Sequence, residues 1–266
     1  MPKLVLAAPL AGWLAPLDEV PDEVFAKRMI GNGVAIDPLG SKLFAPCDGT
    51  VVAMAAHAVT LRADGGSEIL MHLGIDSVAL AGEGFVAHVR QGQTVRTGDE
   101  LISFDLEFLA SRVKSLLSPI VVTNGDAFRI ETPRCGRSVA VGDPILEVIP
   151  CVQAQEKTGS VRTTASREIV CMLPNGLHAR PAARLAGVAK ACRSRLRLTV
   201  RGRTADAASV AAQMALGVSF RDRVLISADG PDAEEALSAA AAVLASDGGE
   251  TAAATIAKVA APATGA

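Results

Sequence analysis

The sequence predicts two domains of different fold class, an all-β antiparallel sandwich followed by a small two-layer α+β domain. Three observations predict this division. Residues 1–150 contain many short apolar runs separated by turn sequences, which is typical of a sandwich or barrel. Residues 151–166 are polar and aperiodic, which indicates a flexible linker. From residue 167 to residue 247 strand patterns alternate with helix patterns, which favours a sheet with helices on one face.

The first domain is predicted from short strands bounded by glycine, proline, asparagine and aspartate. Turn sequences such as Pro46-Cys47-Asp48-Gly49 and Asp64-Gly65-Gly66 mark where the chain reverses. Two short helices are predicted, at Val24–Met29 and Leu106–Ser115. The predicted strands are Lys42–Ala45, Thr50–Ala53, Val59–Arg62, Glu68–Leu73, Phe85–Val89, Glu100–Phe104, Ile120–Thr123 and Ile145–Ile149.

Two histidines of this domain stand where a hairpin can bring them together. His57 precedes one predicted strand and His72 ends the next, with Asp64-Gly65-Gly66 between those strands. With Asp76 nearby, this arrangement permits either a zinc site or a phosphoryl acceptor with a supporting imidazole. A third interpretation is two unrelated histidines on a β surface.

The second domain is predicted from a change in periodicity after residue 166. Arg195 to Val200 alternates polar and apolar residues, as expected of a half-exposed strand. The other predicted elements are strand Glu168–Leu173, helix Ala179–Ser194, helix Ser209–Gly217, strand Arg223–Ala228 and helix Asp232–Ser246. The remaining residues, 248–266, are almost entirely alanine, threonine, proline and glycine, which is typical of a disordered tail or a linker.

The stretch Asn175 to Ala183 places His178 at the start of a predicted helix and Arg180 two residues later. The first turn of a helix has N–H groups without intrahelical partners and the positive end of the macrodipole. It therefore suits an anion, and a histidine there can carry a phosphoryl group while an arginine binds its oxygens. The alternative is a surface histidine that only caps the helix.

Composition excludes several function classes. The formal net charge of −2, the pI near 6.1 and an aromatic content of 3% without tyrosine give no basis for nucleic-acid binding. The five cysteines are an odd number without a Cys-x-x-Cys pair, as expected of a reduced cytoplasmic protein. No apolar run reaches the ~20 residues that span a bilayer, so the chain is not predicted to insert in a membrane. Residues 3–15 imitate a signal peptide, but Pro9 and Gly12 interrupt the run and no cleavage site is clear.

Residues 4–150 resemble the glucose-type enzyme IIA of the bacterial phosphoenolpyruvate-dependent sugar phosphotransferase system. The resemblance rests on the order and spacing of five motifs: Pro16 to Phe25, Gly31-Asn32-Gly33-Val34-Ala35-Ile36, Ala45 to Val51, His72-Leu73-Gly74-Ile75-Asp76-Ser77-Val78 and Gly82-Glu83-Gly84-Phe85. It implies an antiparallel β-sandwich in which His72 accepts the phosphoryl group, His57 is its partner and Asp76 supports the site. It also implies that residues 3–15 form a first β-strand.

Two positions depart from the pattern of that family. Ala55 stands where a threonine is usual, two residues before the partner histidine, so the hydroxyl that would orient His57 is absent. Asn32 stands where an aspartate is common, so one carboxylate near the site is lost.

Residues 167–246 resemble HPr, the small histidine phosphocarrier of the same system. The active-site signature is Gly176 to Ala183, and Thr204 to Ser209, Ala215 to Val218 and Asp232 to Leu237 also match. The resemblance implies an open-faced α+β sandwich in which His178 carries the phosphoryl group, with support from Arg180 and Ala179. Arg221 stands where a turn glycine is usual, and we expect it to affect only that turn.

Ser209 aligns with the serine that a regulatory kinase modifies in some bacteria. The simpler interpretation, which we favour, is an ordinary N-cap of the short helix that follows.

The two resemblances together imply a cytoplasmic phosphorelay protein without a metal or organic cofactor. Enzyme I would donate to His178, His178 to His72, and His72 to the IIB component of a IIB/IIC sugar permease of glucose or N-acetylglucosamine type. One alternative is a regulatory protein that binds metabolic enzymes according to its phosphorylation state. A remote alternative is a zinc hydrolase built on His57, His72 and Asp76. Related fusion proteins continue from HPr into enzyme I, and the sequence does not decide whether this chain does.

Overall fold

The computed structural model describes residues 3–131, 134–151 and 164–245. These residues form two compact units, 3–151 and 164–245. The first unit is rich in antiparallel strands and the second carries helices on an antiparallel sheet, so the predicted fold classes are confirmed.

The first unit contains fourteen strands and two short α-helices in its described residues. Its helices are α1 (Glu23–Ala26) and α2 (Leu106–Ala110), and 3-10 turns lie at Leu17–Glu19, Ser77–Leu80 and Gly125–Ala127. The strands are β1 (Leu4–Ala7), β2 (Gly12–Pro16), β3 (Asn32–Pro38), β4 (Lys42–Phe44), β5 (Gly49–Ala55), β6 (Ala58–Ala63), β7 (Glu68–His72), β8 (Phe85–Ala87), β9 (Thr94–Val95), β10 (Glu100–Phe104), β11 (Ser118–Val122), β12 (Phe128–Glu131), β13 (Arg137–Val139) and β14 (Pro144–Pro150).

One eight-stranded sheet positions the histidines. Its order is β13-β2-β3-β11-β7-β6-β5-β9, and two three-stranded sheets, β1-β14-β12 and β4-β10-β8, complete the unit. Because side chains alternate along a strand, β7 has two different faces. Ile69 and Met71 belong to the main apolar core, whereas Leu70 and His72 lie on the opposite face.

The N-terminal stretch forms two strands, and the expectation of one first strand is wrong in this respect. Strand β1 pairs with β14, and β2 pairs with β3 and β13 in a different sheet. The break falls at Ala8 to Ala11, where Pro9 removes a backbone donor and the chain crosses between sheets.

Helix α2 is five residues shorter than predicted. It ends at Ala110, and the chain then turns so that the Lys114 N–H donates to the Ile75 carbonyl and the Ile75 N–H to the Ser115 carbonyl, at 3.1 and 2.8 Å. The backbone of residues 114–115 therefore supports the loop after His72 instead of continuing the helix.

The second unit is one four-stranded sheet with helices on one face. The strands are β15 (Thr164–Val170), β16 (Arg195–Val200), β17 (Arg203–Asp206) and β18 (Arg223–Asp229), in the order β15-β18-β16-β17. The helices are α3 (Ala179–Ala191), α4 (Val210–Ala215) and α5 (Ala233–Ala245). Their buried faces are largely alanine, with Leu185, Leu237 and Leu244 filling the space between helix and sheet.

Strand β15 begins three residues inside the predicted linker. Thr164 to Ser166 pair with Asp229 to Ser227 of β18, so backbone pairing sets this boundary and side-chain periodicity does not reveal it. Residues 152–163 of the predicted linker and the tail from residue 246 lie outside the described residues. Within the described ranges, no helix is long and apolar enough to span a membrane.

Gly187 provides a test of the α3 assignment. It is an exposed glycine in the helix interior, and a Cβ added there would meet no atom within 4 Å. We expect Gly187→Ala to raise the free energy of unfolding by about 0.5–1 kcal/mol, measured by chemical denaturation, because alanine loses less backbone entropy on folding. The control is Gly176→Ala, which places a Cβ 2.2 Å from the Val218 carbonyl oxygen and should lower stability. A destabilised Gly187→Ala variant would contradict the assignment.

Candidate functional site

The register of β6 against β7 brings the two predicted histidines together. His72 lies opposite Ala58, and the β5–β6 turn places His57 immediately before Ala58. The Leu73 N–H donates to the His57 carbonyl at 2.8 Å, which fastens the turn to the end of β7. The expected hairpin is therefore present, with His57 in the adjoining turn rather than within a strand.

The two imidazoles form a compact pair. Their ring centroids are 4.9 Å apart with an interplanar angle of 69°, an edge-to-face arrangement. His57 is 8% exposed and His72 7% exposed, so both rings lie in a largely apolar recess that still opens to solvent. Polar interactions in such a recess are stronger than in water because the effective dielectric constant is lower.

The tautomer of His72 is fixed by the turn that follows it. Nδ1 of His72 lies 2.8 Å from the carbonyl oxygen of Gly74. A carbonyl oxygen only accepts, so Nδ1 carries the proton and donates, and the lone pair belongs to Nε2. The ring is thus oriented with Nε2 as the atom that can act as a nucleophile.

The turn that follows His72 is held in place by Ser118, a residue of β11. The Gly74 N–H donates to Ser118 Oγ at 3.1 Å, and Ser118 Oγ donates to the Leu116 carbonyl at 2.8 Å. Gly74 has φ +64, and a Cβ there would lie 3.1 Å from the Ser115 carbonyl oxygen. The carbonyl that orients His72 is therefore itself fixed by β11 and the segment before it.

Two phenylalanines line the histidine pair, and the sequence analysis did not identify either. Phe25 meets the His72 ring edge-on at a centroid distance of 5.5 Å, and Phe85 lies 6.4 Å from the His57 ring. Phe25 comes from α1, whose N-terminus is capped by Asp22. The available signal was the apolar Val24-Phe25 pair after that N-cap, but its packing partner could not be read from sequence.

Asp76 lies on the surface at the start of a 3-10 turn, with a left-handed backbone at φ 64. His57, His72 and Asp76 do not form a metal-binding group. Throughout the part of the chain that the structure describes, no three histidine, cysteine or acidic side chains converge in a way that would hold a metal ion. The geometry thus gives no support to the zinc hydrolase alternative.

The two departures from the family pattern occupy ordered positions. Ala55 pairs with Ala58 across the turn that holds His57. Oδ1 of Asn32 accepts from the backbone N–H of Gly33 at 3.0 Å and from Nε of Arg28 at 3.1 Å. An aspartate could accept the same two bonds, so Asn32 preserves the hydrogen-bonding geometry and removes one negative charge.

His178 is the N-cap residue of α3, and its side chain makes no capping hydrogen bond. The capping alternative is therefore correct for its position and wrong for its side chain. Ala179 and Arg180 are the first two helical residues, and the third, Pro181, has no N–H. His178 therefore directly precedes two N–H-bearing residues and the positive end of a 13-residue helix.

The turn before His178 depends on Gly176. This residue has φ +66, and its backbone approaches Val218 so closely that a Cβ would lie 2.2 Å from the carbonyl oxygen. The next N–H, of Leu177, donates to that same oxygen at 2.9 Å. The histidine turn is therefore anchored on the segment that follows α4.

Ser209 is the N-cap of α4, as the simpler interpretation predicts. Its Oγ accepts from the Ala212 N–H at 3.1 Å. Arg221 has φ +67, a conformation that glycine adopts freely, and its guanidinium lies 5.1 Å from the centroid of the ring of Phe220, the preceding residue of the turn.

Gln213 is a buried residue of this region that the sequence analysis missed. It is fully buried, and its Nε2 donates to the Ala182 and Ala207 carbonyls at 3.0 and 2.6 Å. Its Oε1 is buried without a partner. Because Ala182 closes the first turn of α3 by donating to the His178 carbonyl, Gln213 connects α4 to the helix that carries His178.

Comparison with known proteins assigns each unit separately. Residues 4–128 match the family described as "phosphoenolpyruvate-dependent sugar phosphotransferase system, EIIA 1", and residues 165–246 match "PTS HPr component phosphorylation site". The glucose-specific EIIA component of Bacillus cereus is 50% identical over 124 residues, which are 46% of this chain and 75% of that protein. The mannose-specific EIIBCA component of Corynebacterium glutamicum is 41% identical over 165 residues, 61% of this chain and 22% of that protein. Among solved structures, the glucose permease IIA of Mycoplasma capricolum has a TM-score of 0.53 and 40% identity, over 55% of this chain and 96% of its own.

We expect Gln213→Met to lower the free energy of unfolding of the second unit by about 1–3 kcal/mol, because the buried Ala207 carbonyl loses its donor. Denaturant titration of the full chain measures this. Met214→Leu in the same helix is the matched control and should change stability by less than about 1.5 kcal/mol, since it conserves volume. If Gln213→Met is as stable as the parent chain, the amide does not hold the two helices together.

Proposed function

This chain belongs to the EIIA 1 family of the phosphoenolpyruvate-dependent sugar phosphotransferase system and also contains an HPr component, and we propose that it passes a phosphoryl group from His178 to His72. Enzyme I is the proposed donor to His178. The IIB component of a sugar permease is the proposed acceptor from His72. The chain then acts as a phosphotransferase by positioning two histidines in separate units.

The observation that carries this proposal is the hydrogen bond from His72 Nδ1 to the Gly74 carbonyl. It holds the proton on Nδ1, so that in the neutral ring the reactive lone pair belongs to Nε2. In the transfer step the bond between phosphorus and the His178 ring breaks as the bond to His72 Nε2 forms, and the Nδ1 proton stays in place. Phosphoryl transfer of this kind needs positioning and charge stabilisation rather than further covalent chemistry.

The neighbouring residues supply that stabilisation. His57, whose ring centroid lies 4.9 Å from that of His72, is the proposed partner for the phosphoryl oxygens. At the other site the N–H groups of Ala179 and Arg180 and the Arg180 guanidinium are proposed to receive the phosphoryl group. Asp76, exposed on the loop after His72, is proposed to support the phosphoryl site from that loop.

Net charge supports an encounter between the two units. Residues 3–151 contain 12 basic and 18 acidic side chains, a net charge of −6. Residues 164–245 contain 11 basic and 7 acidic side chains, a net charge of +4. Opposite charges steer association and fix its orientation. Covalent linkage adds an effective concentration in the millimolar range for short flexible linkers, so transfer within one chain is proposed as the main route.

The proposed acceptor after His72 agrees with the architecture of one relative. The Corynebacterium glutamicum protein is named an EIIBCA component, which joins an A component to B and C components in one chain. In the present chain the A component is joined to HPr, and IIB and IIC components are proposed as the partners that follow His72. We propose glucose or N-acetylglucosamine as the sugar class, with glucose favoured by the name of the Bacillus cereus relative.

Phosphorylation with phosphoenolpyruvate and enzyme I tests the order of the two histidines. We expect two phosphoryl groups on the parent chain, one on His72→Ala and none on His178→Ala, since His178 is the entry point. Intact-protein mass spectrometry at alkaline pH, where phosphohistidine survives, measures the number of groups. Full labelling of His178→Ala at His72 would refute the proposed order.

Mixing two variants tests the role of linkage. His72→Ala accepts but cannot pass the group on within its chain, and His178→Ala can only receive it from another chain. At micromolar protein we expect transfer between them to be at least about tenfold slower than transfer within the parent chain, because the effective concentration is lost. Rapid-quench measurement of labelled His72 gives both rates, and equal rates would show that linkage has no effect.

A further inference from the structure

The peptide unit between Gly74 and Ile75 orients the His72 ring. Its carbonyl oxygen, that of Gly74, lies 2.8 Å from Nδ1 of His72. Its N–H, that of Ile75, donates to the Ser115 carbonyl at 2.8 Å. Because a trans peptide is planar, its C=O and N–H point in opposite directions. The bond to Ser115 on one side therefore directs the carbonyl toward the imidazole on the other.

The N–H of Gly74 differs from its neighbours in what accepts it. The N–H groups of Leu73 and Ile75, on either side, donate to backbone carbonyls, each at 2.8 Å. The Gly74 N–H donates instead to a side chain, to Oγ of Ser118 at 3.1 Å. Of these three consecutive anchors of the turn, Ser118 is thus the one that a substitution removes without touching the backbone.

The Ser118 hydroxyl is fixed in the acceptor role. Its single proton is donated to the Leu116 carbonyl at 2.8 Å, so an oxygen lone pair is left for the Gly74 N–H. Ser118 is 2% exposed and begins β11, a strand in which every residue is buried. Water therefore does not readily replace the hydroxyl, and its loss leaves a buried donor and a buried acceptor without partners.

Gly74 does not hold its own conformation. It has φ +64, and a glycine backbone has more conformations open to it than that of any other residue. A Cβ would stiffen it, but one built there lies 3.1 Å from the Ser115 carbonyl oxygen. The position of the Gly74 carbonyl therefore depends on hydrogen bonds from outside the turn, and Ser118 supplies one of them.

We propose that Ser118 is a positioning residue for phosphoryl transfer at His72, acting through the Gly74 carbonyl that holds the proton on Nδ1. This inference rests on the proposed function. In the transfer the bond from phosphorus to the donor imidazole breaks, the bond to Nε2 of His72 forms, and the Nδ1 proton stays in place. A neutral ring that carries its proton on Nε2 has no lone pair there and cannot accept. The rate therefore follows the fraction of rings protonated on Nδ1.

Ser118→Ala in the full chain tests the positioning role with two readouts. In ¹⁵N NMR at alkaline pH, where the ring is neutral, we expect His72 of the parent chain to be protonated on Nδ1 and the variant to show a mixture of both tautomers. Transfer from His178 to His72, measured by rapid quench, should slow about three- to tenfold, as expected when one such hydrogen bond is lost. Acceptance by His178 should be unchanged.

Two further variants separate this role from packing. Ser118→Thr keeps the hydroxyl and suits a strand, so it should restore both the parental tautomer and the parental rate. Ser115→Ala removes the neighbouring hydroxyl, which accepts from the Leu117 N–H at 3.1 Å, and keeps the carbonyl that binds the Ile75 N–H. It is the matched control and should leave the tautomer and the rate unchanged. If Ser118→Ala does not fold, Ser118→Cys, whose thiol is a weaker acceptor, decides by the same criteria.

Three outcomes would overturn the positioning role. They are a parental tautomer in Ser118→Ala, a mixed tautomer with the parental rate, and a slow Ser118→Thr whose tautomer is parental. The NMR readout needs no phosphoryl donor, so it reports on Ser118 even if the relay is wrong. Failure of the proposed function would appear separately, as labelling of His72 in the His178→Ala chain with Ser118 intact.

Discussion

The pairing register of β6 and β7 is the constraint on which the histidine pair depends. With His72 opposite Ala58, Met71 and Ile69 enter the core and His72 faces the recess shared with His57. A shift of one residue would turn His72 into the main core and Met71 toward the face that carries Leu70 and the recess. The register is therefore set by core burial as well as by the β6–β7 hairpin. The position of His72 in the recess therefore follows from the packing of Ile69 and Met71 in the core.

The surroundings of His178 in the second unit differ from those of His72 in the first. His72 lies in an apolar recess, where a neighbouring imidazole and a backbone carbonyl define its state. His178 lies at the end of a helix, where N–H groups and the helix dipole provide the positive potential. One site excludes most water and the other remains half-exposed. Each unit thus presents its histidine at a surface that a partner protein can cover.

Sequence reasoning reached the fold classes and the histidines because their signals are local. Periodicity and turn residues predict most strands, and the Asn175 to Ala183 stretch predicts the helix start at Ala179. What it missed depends on contacts between distant segments. Phe25 reaches His72 across the sheet face, and Gln213 looks like an exposed polar residue until α4 packs on α3. Strand β15 begins at Thr164 because β18 offers a backbone partner, and no side-chain pattern records that pairing.

The hydrogen bond between His72 Nδ1 and the Gly74 carbonyl has a consequence for the phosphorylated form. With the proton retained on Nδ1, a phosphoryl group on Nε2 makes the ring cationic, and the carbonyl dipole stabilises that charge. The departing imidazole then leaves as a neutral molecule and needs no proton from solvent. In the proposed relay, the same bond would leave Nε2 as the nucleophile in one direction and allow a neutral imidazole to leave in the other. In the proposed relay, a His72 that keeps its proton on Nδ1 would therefore need no acid catalyst to release the phosphoryl group.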